Sequence, residues 1–307
     1  MILPTLRQFR FLVALADELH FGRAAAACNV TQSTLSTGLK ELEGLLGVAL
    51  AERTKRKVLM TPAGEEIAAR ARRMLTEAQD IVALAQQYGG GLRGPLRLGT
   101  IPTVGPFLLP RLLQRLRRDH PDLRLFLREE LTETLIEGVR AGRLDAALIA
   151  LPFDIGDLET ETLFADGYRL ATARGHRLAG RTQITSADLA GETLLLLERG
   201  HCLQRHALSA FPGAPPRQDD SFAATSLPTL VSMVEEGLGI TLLPQLAIDA
   251  GAARGEGLSL VPLSGACPRR VVLAWRPTSA RGAEFRLLAG LLREERAVLA
   301  RSCESVA

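Results

Sequence analysis

Leu35, Leu39, Leu42 and Leu46 recur at helical spacing and Gly47 ends the run, so residues from about Gln32 to Leu46 form a helix that buries one leucine stripe. Thr31 is a residue type that caps a helix N-terminus, and Asn29-Val30 before it reads as a turn. Upstream, Leu6, Phe9, Val13 and Ala16, with Leu12, Leu15 and Leu19, give helical spacing over Leu6–Leu19. His20-Phe21-Gly22 breaks that pattern, and Arg23–Cys28 is Ala-rich and a good helix former. Three short helices with a tight turn before the third make the helix-turn-helix plan.

Arg53-Thr54-Lys55-Arg56-Lys57 follows as a basic hairpin, and Val58-Leu59-Met60 as a short strand, together a wing. Thr61-Pro62 supplies an N-cap and a first-turn proline for a long helix, about Ala63 to Tyr88. Its apolar positions (Ile67, Ala71, Met74, Leu75, Ala78, Ile81, Val82, Ala85) persist over several turns, the pattern of a helix that packs on another helix, so we read it as a dimerisation helix. Gly89-Gly90-Gly91 and Gly94-Pro95 form a flexible joint. Beyond it strands are expected at Leu96–Thr100, Leu123–Arg128, Ala146–Ala150, Tyr168–Ala173, Thr193–Leu197, Gly239–Leu243 and Val271–Trp275. Helices are expected between them at Phe107–Asp119, Thr134–Ala141 and Leu227–Glu236. This β-α order predicts an α/β sheet with helices on both faces.

Charge placement agrees with a nucleic-acid partner for the first part. Residues 1–94 hold 12 Lys and Arg against 9 Asp and Glu, and the remainder holds 25 against 25. The basic excess therefore sits in one small domain. The apolar run Phe11–Ala16 is too short for a signal-peptide core, and no run approaches the roughly 18 residues of a membrane helix. The expectation is a cytoplasmic protein without membrane association. The four cysteines (Cys28, Cys202, Cys267, Cys303) form neither a disulfide framework nor a zinc pattern. Cys28, inside the helix-turn-helix, reads as core.

The blocks Phe21-Gly22-Arg23-Ala24-Ala25-Ala26, Thr31-Gln32-Ser33-Thr34-Leu35-Ser36, Leu39-Lys40-Glu41-Leu42-Glu43, Leu46-Gly47-Val48, Glu52-Arg53-Thr54 and Thr61-Pro62-Ala63-Gly64 resemble the signature of LysR-type transcriptional regulators. The match spans about sixty residues with spacing intact. The family often has a larger residue at the position of Gly38, a departure that bears on the operator read. The resemblance implies a winged helix-turn-helix over 1–62, a linker and dimerisation helix with hinge over 63–94, and a two-lobed α/β regulatory domain, similar to periplasmic binding proteins, over 95–307. Lobe I is expected at about 95–165 and 268–307, and lobe II at about 166–267. Gln32, Ser33, Thr34 and Thr37, opposite the leucines, would meet base edges, and Arg53, Lys55, Arg56 and Lys57 phosphates or the minor groove.

Further blocks resemble the hydrogen-peroxide-sensing, OxyR-type subgroup: Gly99–Pro106, Arg199-Gly200-His201-Cys202-Leu203, Ala224–Leu227, Gly239–Pro244 and Pro268-Arg269-Arg270. That resemblance implies a peroxidatic Cys202, with Thr103, Thr132, His201 and Arg270 around the peroxide. A thiol attacks peroxide only as thiolate, which needs nearby positive charge or donors, and the product is a sulfenic acid. The subgroup's second cysteine, nine residues on, is here Phe211, and Arg205 stands where an acidic residue is common. Three outcomes stay open: the sulfenic acid is itself the signal; Cys267, Cys303 or a small thiol resolves it, Cys267 being nearer an expected crossing between lobes; or the effector is not peroxide. His201, Cys202 and His206 do not have recurrent zinc spacing, so neither metal nor cofactor is expected.

The leading expectation is a non-enzymatic, redox-responsive regulator. Its partners would be double-stranded operator DNA, hydrogen peroxide, a second copy or three more of the same chain, and RNA polymerase. A regulator sensing a small metabolite between the lobes is the alternative, and a thiol peroxidase a more distant one. A solute-binding protein is opposed by residues 1–94.

Overall fold

A computed structural model describes residues 3–53, 58–87, 91–189, 191–198, 217–218, 224–254, 257–263 and 267–304. The chain divides into two compact units, residues 1–89 and 90–307.

In the first unit, α1 (Leu6–Glu18), α2 (Phe21–Ala27) and α3 (Gln32–Leu46) are each started by a side-chain cap. Thr5 and Gln8 form a capping box, the His20 ring nitrogen accepts from the Gly22 and Arg23 amides, and Thr31 accepts from the Thr34 amide. Each cap satisfies helix N–H groups that have no partner within the helix. Phe11, Leu12, Leu15, Leu35, Leu39 and Leu42 close one core. The strands β1 (Ala51–Arg53) and β2 (Val58–Met60) pair antiparallel as the wing, and α4 (Pro62–Gln87) follows. The Thr61 hydroxyl donates to the Ala49 carbonyl at 2.8 Å and accepts from the Gly64 amide at 2.9 Å, so one side chain both ends the wing and starts α4.

In the second unit a five-stranded sheet runs β4-β3-β5-β12-β6, built from β3 (Gly94–Thr100), β4 (Leu123–Glu129), β5 (Ala146–Leu151), β6 (Glu159–Asp166) and β12 (Arg269–Trp275). β3 is parallel to β4 and β5, while β12 is antiparallel to β5 and β6. Helices α5 (Gly105–Asp119) and α6 (Thr132–Arg140) connect the parallel strands. A second sheet, all antiparallel, is β10-β7-β11, from β7 (Tyr168–Ala173), β10 (Thr241–Pro244) and β11 (Leu258–Pro262). Beside it lie the short parallel pair β8 (Thr193–Leu194) and β9 (Arg217–Gln218), and α7 (Leu227–Glu235).

Each sheet has its own core. Phe107 and a short helix bridge them. Phe107 packs against both, and α8 (Gln245–Asp249) places Leu246 in the first core and Ala247 in the second. The closing helix α9 (Gly282–Glu304) covers the first sheet with Phe285, Leu288 and Leu292, and the Phe285 ring lies 5.5 Å from that of Trp275. Among the described residues no helix is long and apolar enough to cross a membrane.

The expected strand Thr193–Leu197 is shorter, ending at Leu194, and the expected Gly239–Leu243 begins at Thr241. Backbone pairing continues through isolated bridges, Leu194 with Ile240 and Leu197 with Ala224, so these residues border the sheet without extending it.

Candidate functional site

The recognition face comes directly from the register of α3. Leu35, Gly38, Leu39 and Leu42 point inward, which leaves Gln32, Ser33, Thr34 and Thr37 exposed on the opposite side. These short polar side chains are the types that reach base edges in a major groove. Ser33, Thr34 and Thr37 line an open groove of about 570 Å³ whose other wall is Thr5, Arg7 and Gln8 from the start of α1. Arg7 is exposed and lies over the Phe11 ring at 5.4 Å. This wall carries no sequence signal, because α1 has no motif of its own.

Gly38 is buried and lies on the floor of that groove with Phe11. A Cβ there would come within 2.7 Å of the Phe11 ring. The departure from the family pattern at this position is therefore coupled to the packing of α1 on α3. The wing is tied to the recognition helix by Glu43, whose carboxylate accepts from the Leu50 amide at 2.8 Å and the Ala51 amide at 3.4 Å. The side chain of Arg53, and Lys55, Arg56 and Lys57, lie outside the described residues.

A second constellation sits on one edge of the five-stranded sheet. Thr103 follows the end of β3, and Thr132 follows the end of β4, its parallel neighbour. Asp166 ends β6, and Arg269 begins β12 directly opposite it. All four occupy the carboxyl end of the parallel strands, where open α/β sheets bind ligands. All four are buried, and Arg269 and Asp166 have fully buried side chains. Arg269 donates through Nε and Nη2 to Asp166 Oδ2 at 3.0 and 2.8 Å, through Nη1 to the Thr103 hydroxyl at 2.8 Å, and through Nη2 to the Thr103 carbonyl at 3.0 Å. The Thr132 hydroxyl is buried without a hydrogen-bond partner among the described residues. Such an orphaned group costs about 1–3 kcal/mol unless a guest or water satisfies it.

Arg270, expected beside Thr103, is exposed, and the guanidinium that reaches Thr103 belongs to Arg269. Successive side chains of a strand point to opposite faces, so only one of the two arginines can turn inward. Asp166, the partner of Arg269, lies in none of the sequence motifs. His201, Cys202 and Phe211 lie outside the described residues, as does the Cys303 side chain. Cys267 is exposed, two residues before Arg269.

Cys28 is buried, and its thiol donates to the Arg10 carbonyl at 3.8 Å. Burial pushes its pKa above the ordinary thiol value, and the Arg10 charge draws it back by less. The thiolate fraction near neutrality is correspondingly small, and reactivity returns only as pH rises. In native protein at pH 8 we expect iodoacetamide to label Cys28 about tenfold or more slowly than Cys267, and equally fast after denaturation. Equal native rates, read by peptide mass spectrometry, would contradict the burial assigned to Cys28.

A capped recognition helix with a tethered wing, followed by a two-sheet α/β unit with a polar strand-edge site, defines a DNA-binding regulator with an attached sensing unit. Residues 6–65 match the model for bacterial regulatory helix-turn-helix proteins of the lysR family, and residues 89–297 match the LysR substrate binding domain. The chain belongs to the LysR family. It is 41% identical to a hydrogen peroxide-inducible genes activator of Pectobacterium carotovorum subsp. carotovorum, over 94% of this chain and 96% of that one. It is 39% identical to the HTH-type transcriptional regulator EstR of Acinetobacter baylyi, over 97% of this chain and 99% of that one. Among solved structures it is similar to full-length OxyR of Pseudomonas aeruginosa, in a Cys-to-Asp variant. The TM-score is 0.79 at 38% identity, covering 95% of this chain and 96% of that one.

Proposed function

We propose that the chain is a DNA-binding transcriptional regulator that responds to hydrogen peroxide through oxidation of Cys202. The observation that carries this is the buried Thr132 hydroxyl, without a hydrogen-bond partner among the described residues, on the sheet edge it shares with Thr103 and Arg269. A small polar guest with both donor and acceptor capacity suits it, and the similarity to named peroxide-inducible activators supports peroxide as that guest. The Cys202 thiolate attacks one peroxide oxygen. The S–O bond forms, the O–O bond breaks, and the departing hydroxide takes a proton to leave as water. Thr103 and Thr132 hydrogen-bond the oxygens, His201 supplies positive charge or a donor to the thiolate, and Arg269 acts on the departing oxygen through the Thr103 hydroxyl it holds. Because Phe211 replaces the usual second cysteine, the product stays a sulfenic acid or is closed by Cys267, Cys303 or a small thiol.

The response reaches DNA through a homodimer or homotetramer that sets the spacing of two recognition helices. Exposed Met74, Ile81 and Val82 on α4, and Phe126 and Leu127 on the edge strand β4, support self-association. Contact with RNA polymerase and a cytoplasmic location belong to the same reading. The match of residues 89–297 to the LysR substrate binding domain favours a second reading, in which the strand-edge site takes a small-molecule effector other than peroxide.

Brief near-stoichiometric peroxide on reduced protein, with a sulfenic-acid trap and non-reducing peptide mapping, decides between them. Adducts or disulfides confined to Cys202 at early times, with peroxide-insensitive regulation in Cys202→Ser, are expected. Oxidation of Cys202 no faster than that of a free thiol would overturn the peroxide reading and leave DNA binding intact.

A further inference from the structure

We propose that Asp166 is a positioning residue for the peroxide reaction. It fixes, through Arg269, the Thr103 hydroxyl as a donor to the departing oxygen. The inference rests on the peroxide reading above.

The geometry is a chain of fixed polarity. A carboxylate can only accept, and a guanidinium can only donate. Asp166 Oδ2 accepts from Arg269 Nε and Nη2, while Asp166 Oδ1 accepts from the Leu246 amide at 2.8 Å. The carboxylate is thus held at both oxygens and cannot rotate away from Arg269. The guanidinium, locked on that side, presents Nη1 to the Thr103 hydroxyl oxygen and Nη2 to the Thr103 carbonyl. The hydroxyl oxygen is therefore an acceptor toward Arg269, which leaves its own proton for another group. Among the described residues nothing takes that proton. A hydroxyl polarised by a buried cation is a stronger donor than a free one. In thiolate attack on peroxide the departing oxygen gains the negative charge, so this is where such a donor lowers the barrier.

Asp166 also occupies a crossing between the two sheets. β6 ends at Asp166 and β7 starts at Tyr168, with Gly167 alone between them. Arg269 opens β12, on the return path into the first sheet after β11. A fully buried ion pair is a poor device for stability alone, because apolar residues of equal volume often serve as well. Its orientation of Thr103 is the use the geometry gives it.

The experiment compares two reagents on Cys202 of the full-length reduced protein. Peroxide needs a stabilised departing oxygen. Iodoacetamide needs only the thiolate, since the S–C bond forms as the C–I bond breaks and iodide leaves without a proton. For Asp166→Asn the expected result is a loss of about tenfold or more in the peroxide rate, with the iodoacetamide rate within about twofold of wild type. Thr103→Val should show the same selective loss, Thr103→Ser should restore most of it, and Asp166→Asn added to Thr103→Val should slow peroxide no further. If Asp166→Asn fails to fold, Asp166→Asn with Arg269→Met leaves no charge unpaired, and the same selective loss is expected. An unchanged ratio of the two rates, equal slowing of both, or multiplying losses would overturn the role of Asp166. The wild-type peroxide rate alone tests the parent reading, so its failure is distinguishable from failure of this one.

Discussion

Gly64→Ala is expected to unfold the region around the wing and the start of α4 while leaving the second unit intact. A Cβ at this position would lie 1.9 Å from the Leu50 carbonyl oxygen and 2.8 Å from its carbon. The obstacle is backbone, and backbone already committed. The Leu50 carbonyl accepts from the Thr61 amide at 3.1 Å, and the Leu50 amide donates to Glu43. Relief requires moving β1 away from α4, which breaks the Thr61 contacts at both ends of the wing. We expect a loss of at least about 3 kcal/mol, the upper part of the usual range for overpacking. Gly38→Ala is the control. Its new Cβ meets only the Phe11 ring, which can turn, so a loss of about 1–2 kcal/mol is expected. Hydrogen exchange read by mass spectrometry checks both. Peptides from α3 and the wing should lose protection in Gly64→Ala, and those from β5 and β12 should not. Similar exchange in the two variants would mean that the close approach at Gly64 is not a real constraint.

The contrast between these glycines shows what the sequence can and cannot convey. The Thr61-Pro62-Ala63-Gly64 motif is readable as a helix start, and α4 begins there. The reason for glycine is not, because it depends on Leu50, fourteen residues earlier in sequence. The face of α3 is readable because one side is buried and the other exposed, so the leucine spacing fixes its phase. The phase of β12 is hidden for the opposite reason. Val271 to Trp275 are buried on both faces, so no alternation survives to say which of Arg269 and Arg270 points inward. Asp166 is harder still. It closes the mixed strand Glu159–Asp166, whose charged residues do not read as sheet, and its partner lies 103 positions away. A buried carboxylate is legible only once its cation is known. The family resemblance therefore names Thr103 and Thr132 but gives no access to the pair that orients Thr103.

Arg269→Met is expected to destabilise the second unit by about 3–5 kcal/mol, the cost typical of leaving one member of a buried ion pair alone. Asp166 would keep only the Leu246 amide as a donor from this network, and both Thr103 oxygens would lose theirs. Adding Asp166→Asn should return most of that stability. Asn keeps an acceptor for the Leu246 amide and carries no charge to strand. Chemical denaturation of the single and double variants reads the recovery as a shift in midpoint at constant slope. The two consequences of the pair then separate. Stability depends on not burying a lone charge, which the double variant satisfies. Orientation of the Thr103 hydroxyl depends on the guanidinium itself, which the double variant lacks. The stable double variant should therefore still oxidise Cys202 slowly with peroxide. If it recovers both stability and peroxide rate, the ion pair serves the fold alone, and Thr103 needs no arginine to act.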